Sequence, residues 1–217
     1  MSDLLKVRVG GSSYLCKWAD PRYVEIGGKD YKVATMPDGK TWMAENLDFK
    51  ASGIDIAPSS TPTTPAAWYY NNDESTWGWN GHKCGLLYNW YAAKYLEDNK
   101  STLIPGWHVP SVDEWDALIT ACGGSSDAAG KLKASSVSWS GSWTGTDDYG
   151  FGVIPCGIRD SGGAFIADSS YDYIWSSTPN GGNSYYMEFY ATASGISVYN
   201  STPATVGATV RLVKDAT

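Results

Sequence analysis

The sequence predicts an α+β domain, because two helical patterns near the middle of the chain give way, after residue 134, to strand patterns alone. The first helical pattern spans about 89–97 (NWYAAKYLE), and the second begins at Ser111. Strands that follow helices in this way favour antiparallel pairing over a parallel βαβ arrangement. The strand patterns lie at 151–156, 164–167, 173–178, 185–190, 196–200 and 209–214.

The helix that begins at Ser111 carries the clearest local signal. Ser111 and Glu114 form a capping box, in which each side chain satisfies a backbone N–H at the start of the helix. Apolar residues then recur at helical spacing, and two glycines end the helix. These residues are Trp115, Leu118, Ile119 and Cys122, followed by Gly123 and Gly124. A shorter helix is predicted at about 126–134.

Residues 1–20 are predicted to form a β-hairpin lead-in, separate from one domain at 21–217. Gly10 and Gly11 stand between two apolar runs and suit a turn with positive φ. Residues 51–67 are rich in Pro, Ser and Thr and predict a long surface loop. Further strands are predicted at 23–26, 30–35 and 41–44.

Charge and hydropathy exclude several classes of partner. The 217 residues carry 16 Lys and Arg against 23 Asp and Glu, for a net charge of −7. Nucleic acids and anionic membranes need a basic face, so neither is expected as a partner. No apolar run approaches the roughly 18–20 residues of a membrane span, and membrane insertion is not expected. No signal peptide is visible at the N-terminus.

Cysteines and histidines offer little for catalysis or metal binding. The four cysteines form no CxxC pair, which argues against a zinc or dithiol site. We expect buried free thiols, with two disulfides in any of three pairings as the alternative. His82 and His108 are too far apart in sequence for a helical metal pair, and His108 is expected to be structural. Asp147 and Asp148 suit turn or cap duty, so no catalytic residue, metal or cofactor is expected.

Arg159 and Arg211 are single basic residues amid apolar strands, and we expect each to pair with a carboxylate at a sheet edge.

The C-terminal third has the composition of an antibody paratope. Tyr, Ser, Asn, Gly and Thr supply 27 of the 46 residues from 161 to 206, and the only charged residues there are Asp168, Asp172 and Glu188. Tyrosine gives a large contact area at low entropic cost, while the small polar residues adapt their hydrogen bonds.

Strand alternation divides these residues between two faces. Met187 and Phe189 share one face of their strand, which leaves Tyr186, Glu188 and Tyr190 on the other. In the next strand Ile196 and Val198 are expected to point inward, with Ser197 and Tyr199 outward. The outward residues predict a recognition surface, although solvated strand residues of good β-propensity remain the alternative.

Six ordered motifs over about residues 23–215 resemble the Fibrobacter succinogenes major paralogous domain. They are TWMAENLDF (41–49), GLLYNWYAA (85–93), IPGWHVPSVDEWDAL (104–118), GTDDYGF (145–151), IWSST (174–178) and VRLVKD (210–215). The resemblance implies a C-type lectin-like fold with two helices, small twisted antiparallel sheets and long loops. It also implies a distant architectural relation to formylglycine-generating enzymes.

Within that fold the chain is similar to the variable proteins of diversity-generating retroelements. There, the segment between a WSS motif and a VRLV-like motif is rewritten at outward positions; here it corresponds to about 173–213. The closing motif departs from the family, because Gly207-Ala208-Thr209 replaces its usual aromatic pattern. The resemblance and the strand alternation together select as ligand-binding residues Tyr173, Asn180, Asn183, Tyr186, Glu188, Tyr190, Thr192, Ser197, Tyr199, Asn200 and Ser201.

The sequence therefore predicts a non-catalytic binding protein for receptor recognition or adhesion. Its expected partner is a protein or glycan on a cell surface. We expect display on a phage particle or a bacterial surface, and otherwise a cytoplasmic location. Two alternatives stay open: a polysaccharide-binding or structural module of a bacterial surface protein, and, more remotely, an oxidoreductase that resembles formylglycine-generating enzymes.

Overall fold

The computed structural model describes residues 22–74, 84–135, 143–166, 170–192 and 195–216, and the backbone of four short strands outside these ranges. The strands are β1 (Leu5–Val9), β2 (Ser12–Cys16), β3 (Tyr23–Ile26), β4 (Lys29–Thr35), β5 (Thr41–Met43), β6 (Asp55–Ile56), β7 (Ala66–Trp68), β8 (Gly78–Trp79), β9 (His82–Lys83), β10 (Leu87–Asn89), β11 (Trp107–His108), β12 (Ile158–Arg159), β13 (Phe165–Ile166), β14 (Tyr171–Asn180), β15 (Asn183–Tyr190), β16 (Ile196–Pro203), β17 (Gly207–Ala208) and β18 (Val213–Lys214). The helices are α1 (Trp90–Asp98), α2 (Lys100–Leu103), α3 (Val112–Ala121) and α4 (Ala128–Leu132), with a 3-10 turn at Tyr70–Asn72.

The predicted fold class, an α+β C-type lectin-like domain, is wrong. The described part of the chain is mostly β, with fourteen strands in a six-, a five- and a three-stranded sheet and only four short helices. Capping and helical periodicity are strong local signals, whereas strands of two or three residues leave no alternation to detect. Local sequence patterns therefore overestimate the share of the fold that is helical.

The two largest sheets bring together strands that are distant in sequence. The six-stranded sheet has the order β13-β12-β17-β10-β7-β6, and the five-stranded sheet has the order β11-β18-β5-β4-β3. The three-stranded sheet, β14-β15-β16, is a simple antiparallel meander. Two predictions change as a result: the expected loop at 51–67 contains β6 and the start of β7, and the expected strand at 209–214 is reduced to β18 at its end.

The predicted helices are present as α1, α3 and α4. The capping box at the start of α3 is confirmed, because Ser111 Oγ accepts from the Glu114 N–H at 3.3 Å and Glu114 Oε2 accepts from the Ser111 N–H at 2.9 Å. Trp115, Leu118 and Ile119 form the buried face of α3. None of the described helices is long and apolar enough to cross a membrane.

Near the N-terminus, β1 and β2 pair in antiparallel register, from Leu5 opposite Cys16 to Val9 opposite Ser12. Gly10 and Gly11 lie outside the described residues, as does the Cys16 side chain. The division into a lead-in at 1–20 and a domain at 21–217 stays a prediction.

The three-stranded sheet separates two hydrophobic clusters. On one face of β14, Tyr173 and Trp175 join a cluster that includes the inward residues of α1. On the opposite face, Ile174 joins Met187 and Phe189 of β15 in a second cluster, together with the buried side chains of α3 and α4. Burial on both faces places β14 in the interior of the domain, whereas β16, at the opposite edge of the sheet, is mostly exposed.

The expectation of free buried thiols is wrong for two of the cysteines. Cys84 and Cys156 form a disulfide across 72 residues of sequence. Cys122 is a buried free thiol, as expected. Sequence spacing does not identify partners at this separation, because the pairing depends on the tertiary fold.

The expectation that Arg211 pairs with a carboxylate at a sheet edge is also wrong. Its side chain is only 1% exposed and donates to Asn46 Oδ1 at 2.7 Å, to the carbonyl of Gly152 at 3.1 Å and to the carbonyl of Phe151. The guanidinium lies 4.5 Å from the centre of the Phe151 ring. A buried charge is tolerated only when its donors are satisfied, and Arg211 thereby joins three distant segments.

Arg159 likewise differs from expectation, since it forms no ion pair among the described residues. Its guanidinium lies over the Trp68 ring at 4.1 Å and reaches the loop at Ser60 and Thr61 through contacts of 3.4 Å. The guanidinium of Arg159 is therefore paired with an aromatic ring instead of the expected carboxylate.

Asp172 is a fully buried carboxyl behind the β14 tyrosines. Its Oδ1 accepts from Thr209 Oγ1 at 3.5 Å, while Oδ2 has no hydrogen-bond partner in the described structure. Burial raises the pKa of Asp172 to about 7, and the nearby positive charge of Arg211 offsets only part of this effect. The folded protein therefore favours the protonated carboxyl.

The network around Arg211 predicts a large loss of stability for Arg211→Met. This variant leaves Asn46 Oδ1 and the carbonyls of Phe151 and Gly152 without their donor, and we expect a loss of about 3 kcal/mol in the free energy of unfolding. Lys214→Met is the matched control, because Lys214 is exposed and should change stability by at most about 0.5 kcal/mol. Chemical denaturation measures both variants; equal unfolding midpoints would contradict the role of Arg211.

The buried carboxyl of Asp172 predicts a pH dependence of stability. Its pKa is higher in the folded than in the unfolded state, so its contribution is complete below the unfolded value and is lost as pH rises to about 7. Relative to Asp172→Asn, we expect wild type to lose as much as about 4 kcal/mol between about pH 4 and pH 8. Urea denaturation across this range tests the difference. Asp116→Asn, on the exposed face of α3, should follow wild type; parallel curves for wild type and Asp172→Asn would refute the prediction.

Candidate ligand-binding face

The three strands of the C-terminal sheet place most of its tyrosines on one face. Tyr173 is opposite Glu188 in the β14–β15 register, and Glu188 is opposite Ser197 in the β15–β16 register. Alternate residues along each strand share this side of the sheet. We call the following side chains the tyrosine face: Tyr171, Tyr173, Tyr186, Glu188, Tyr190, Ser197 and Tyr199.

The aromatic rings of this face contact one another in a continuous chain. Tyr171 stacks on Tyr173 at 5.6 Å and on Tyr190 at 4.6 Å, measured between ring centroids. Tyr186 contacts Tyr173 edge-on at 5.0 Å and Tyr199 at 5.5 Å. Such pairs add about 0.5–1.5 kcal/mol beyond the burial of area, so each ring holds its neighbours in place.

Exposure of the face increases from β14 to β16. Tyr173 is only 9% exposed, Tyr186 and Glu188 are half-buried, and Tyr190 and Tyr199 are 36% and 43% exposed. Ser197 is also exposed. The two outermost rings are therefore accessible to a ligand, whereas Tyr173 is buried and contacts Tyr171 and Tyr186.

The other predicted residues lie at the two ends of the sheet. Asn180 and Asn183 pair across the β14–β15 turn, and the Asn180 side chain donates to the carbonyl of Asn200. Asn200 and Ser201 are exposed on β16 beside this turn. Thr192 is exposed just beyond the opposite end of β15. The structure thus divides the predicted residues into the tyrosine face, an asparagine-rich tip and Thr192.

Two aromatic residues that organise the face are absent from the sequence prediction. Tyr171 stacks on two predicted residues. Trp175 is opposite Tyr186 on the neighbouring strand, with ring centroids 5.7 Å apart, and its Nε1–H donates to the Tyr88 carbonyl at 2.6 Å. The alternation Tyr171-Asp172-Tyr173-Ile174-Trp175 carries the signal for both. The predicted strand began at 173, which left Tyr171 out.

Val198 lies on the face of the sheet predicted for it, but it is 41% exposed instead of buried. Val198 lies opposite Met187 on β16, the edge strand of the sheet. The second hydrophobic cluster covers Met187 and Ile196 but does not include Val198. Alternation assigns a side chain to one face of a sheet but does not show how far the core extends beneath it.

Glu188 is the one described carboxylate on the tyrosine face. Burial raises the pKa of Glu188, and among the described residues its side chain makes no ion pair and no hydrogen bond. Burial also raises the pKa values of Tyr173, Tyr186 and Tyr171, and the negative charge of Glu188 adds to each increase. The tyrosine face therefore has a negative electrostatic potential and is partly desolvated. Asp168 lies outside the described residues.

The remaining titratable groups of interest have structural partners. His108 Nδ1 lies 2.6 Å from Asp215 Oδ1, and its Nε2 lies 2.8 Å from Glu114 Oε1, which ties strand β11 to helix α3 and to the end of the chain. Hydrogen bonding to Glu114 raises the pKa of His108. Asp147 Oδ1 accepts from the Gly152 N–H at 2.8 Å, as expected for a turn residue. Within the described ranges, no group of three or more His, Cys, Asp or Glu side chains could hold a metal ion. His82 is described only as backbone.

Comparison with known families identifies the chain. The model of the Fibrobacter succinogenes major domain matches residues 38–214, and the chain belongs to this family. The family named from the sequence motifs is thereby confirmed. A search of the curated proteins and a search of the solved structures both find no match.

The gradient of exposure predicts that Tyr173 and Tyr199 differ in their contributions to stability. Tyr173→Ala removes a ring packed in the first hydrophobic cluster, and we expect a loss of about 3 kcal/mol. Tyr199→Ala removes an exposed edge-strand ring and should cost at most about 1 kcal/mol. Thermal and urea denaturation measure both effects. A loss of about 3 kcal/mol in both variants would mean that the outer rings belong to the core.

Proposed function

We propose that this domain is a non-catalytic binding module that holds a partner through the tyrosine face. The observation that carries the proposal is the pair of accessible rings, Tyr190 and Tyr199, each in contact with a half-buried tyrosine of the neighbouring strand. A ligand meets rings whose positions are already fixed, so little side-chain entropy is lost on binding.

The three cysteines whose side chains are described support a binding role over a thiol-dependent one. Cys84 and Cys156 are joined in a disulfide, and burial raises the pKa of Cys122 to about 11. A buried thiol with a raised pKa is a poor nucleophile. An oxidoreductase that depends on a reactive cysteine pair is therefore less well supported than a binding module.

The same disulfide bears on where the module works. Disulfides persist in oxidising surroundings and are rare in the reducing cytosol. This favours display on a bacterial or phage surface over a cytoplasmic location. Diversification of the segment at about 173–213 by a retroelement belongs to the same proposal, and a reverse transcriptase gene beside a near-identical template repeat would support it.

Two substitutions in the accessible rings test the proposal. Wild type and Tyr190→Ala/Tyr199→Ala are each immobilised for selection from a random peptide display library. Each is also applied in solution to a printed glycan array. We expect wild type to enrich a ligand that the double variant retains about tenfold less well or worse.

Tyr23→Ala provides the matched control for these measurements. Tyr23 is 42% exposed, close to the value for Tyr199, but lies on β3 at the edge of a different sheet. The control should retain the ligand as wild type does. A wild-type domain that enriches nothing, or a ligand retained equally by the double variant, would refute the proposal. Enrichment from the glycan array alone would identify the module as polysaccharide-binding.

A further inference from the structure

Glu188 occupies the centre of the tyrosine face. Tyr173 lies opposite it on β14, and Ser197 lies opposite it on β16. Tyr186 and Tyr190 stand two residues away along its own strand, about 7 Å in each direction. The carboxylate is therefore surrounded by aromatic rings on three sides and by a small hydroxyl on the fourth.

No cation in the described structure neutralises this carboxylate. Glu188 forms no ion pair there, and residues 161–206 contain no Lys or Arg. The ammonium of Lys133 approaches the same strand but donates to the carbonyls of Tyr190 and Ala191, at 3.1 and 3.0 Å. The backbone end of β15, rather than the tyrosine face, holds that positive charge.

A partly desolvated carboxylate without a counter-charge is unfavourable for folding. Burial alone raises the pKa of Glu188, as expected for a carboxylate that has lost contact with water without forming an ion pair or a hydrogen bond. Glutamine or serine would fill this position at lower cost in stability. Charged groups left in this condition on an accessible surface are candidates for ligand binding.

The geometry points to an arginine side chain of a partner protein as the occupant of the tyrosine face. Its guanidinium would pair with the Glu188 carboxylate while its flat surface lies against the neighbouring rings. This inference rests on the proposed function and specifies the chemistry of the ligand.

Arginine fits this arrangement better than lysine. The guanidinium is planar, stacks on aromatic faces and matches a carboxylate with two parallel hydrogen bonds, whereas an ammonium is a strongly hydrated point charge. The chain already places an arginine against an aromatic ring twice, since Arg159 lies 4.1 Å from the Trp68 ring and Arg211 lies 4.5 Å from the Phe151 ring. The net charge of −7 also favours a basic partner.

The test uses Nα-acetyl-L-argininamide as the probe, followed by NMR of the whole domain. We expect saturable shifts of the Tyr190 and Tyr199 ring signals at millimolar probe. The citrulline analogue, which has the same shape without the charge, should bind about tenfold more weakly or worse. Absence of saturable shifts with the arginine probe, or equal affinity for the two probes, would overturn the inference.

Three variants locate the effect. Glu188→Gln should weaken binding of the arginine probe by about tenfold or more, while Glu25→Gln, an exposed carboxylate on β3, should leave it unchanged. Ser197→Arg places a guanidinium directly opposite Glu188 and should block the probe without removing any ring. Dispersed backbone spectra confirm that each variant is folded. Binding that survives both Glu188→Gln and Ser197→Arg would overturn the inference.

The two proposals fail in different ways. If a library ligand is lost by Tyr190→Ala/Tyr199→Ala but retained by Glu188→Gln, the tyrosine face binds a partner by other chemistry and the arginine inference is wrong. If neither variant loses the ligand, the binding function itself is refuted.

Discussion

The buried guanidinium of Arg211 is the interaction on which the arrangement of the chain depends. It holds Asn46, near the start of the family match, and the carbonyls of Phe151 and Gly152 against the last part of the chain. Gly152 has a φ of +64°, a conformation that glycine adopts readily, and it presents its carbonyl to the charge. Removal of any one partner leaves a buried donor or acceptor unsatisfied, so these segments must assemble together.

Strand β14 transmits this constraint to the tyrosine face. Thr209, two residues before Arg211, exchanges hydrogen bonds with the strand backbone: Trp175 N–H donates to the Thr209 carbonyl at 3.0 Å, and Thr209 N–H donates to the Tyr173 carbonyl at 2.8 Å. The indoles of Trp90 and Trp175 further fix the strand to its surroundings. The tyrosine face is therefore built on a strongly constrained strand, and the proposed binding function would require little reorganisation of it.

The parts of this structure that were predictable from sequence have local causes. The capping box at Ser111 and the alternation around Met187 each follow from neighbouring residues, and both are present. The two-residue strands, the Cys84–Cys156 pair and the partners of Arg211 arise from contacts distant in sequence, which no local pattern encodes. The exposure of Val198 belongs with these, because it depends on where the second hydrophobic cluster ends. The lectin-like architecture came from resemblance alone, and the sheet order replaces it.

The disulfide between Cys84 and Cys156 has a consequence for chain integrity. It closes a covalent ring through both long helices and much of the second hydrophobic cluster. A single proteolytic cut anywhere inside that ring leaves the two fragments joined. A nicked molecule therefore keeps its two fragments joined until a reductant is added.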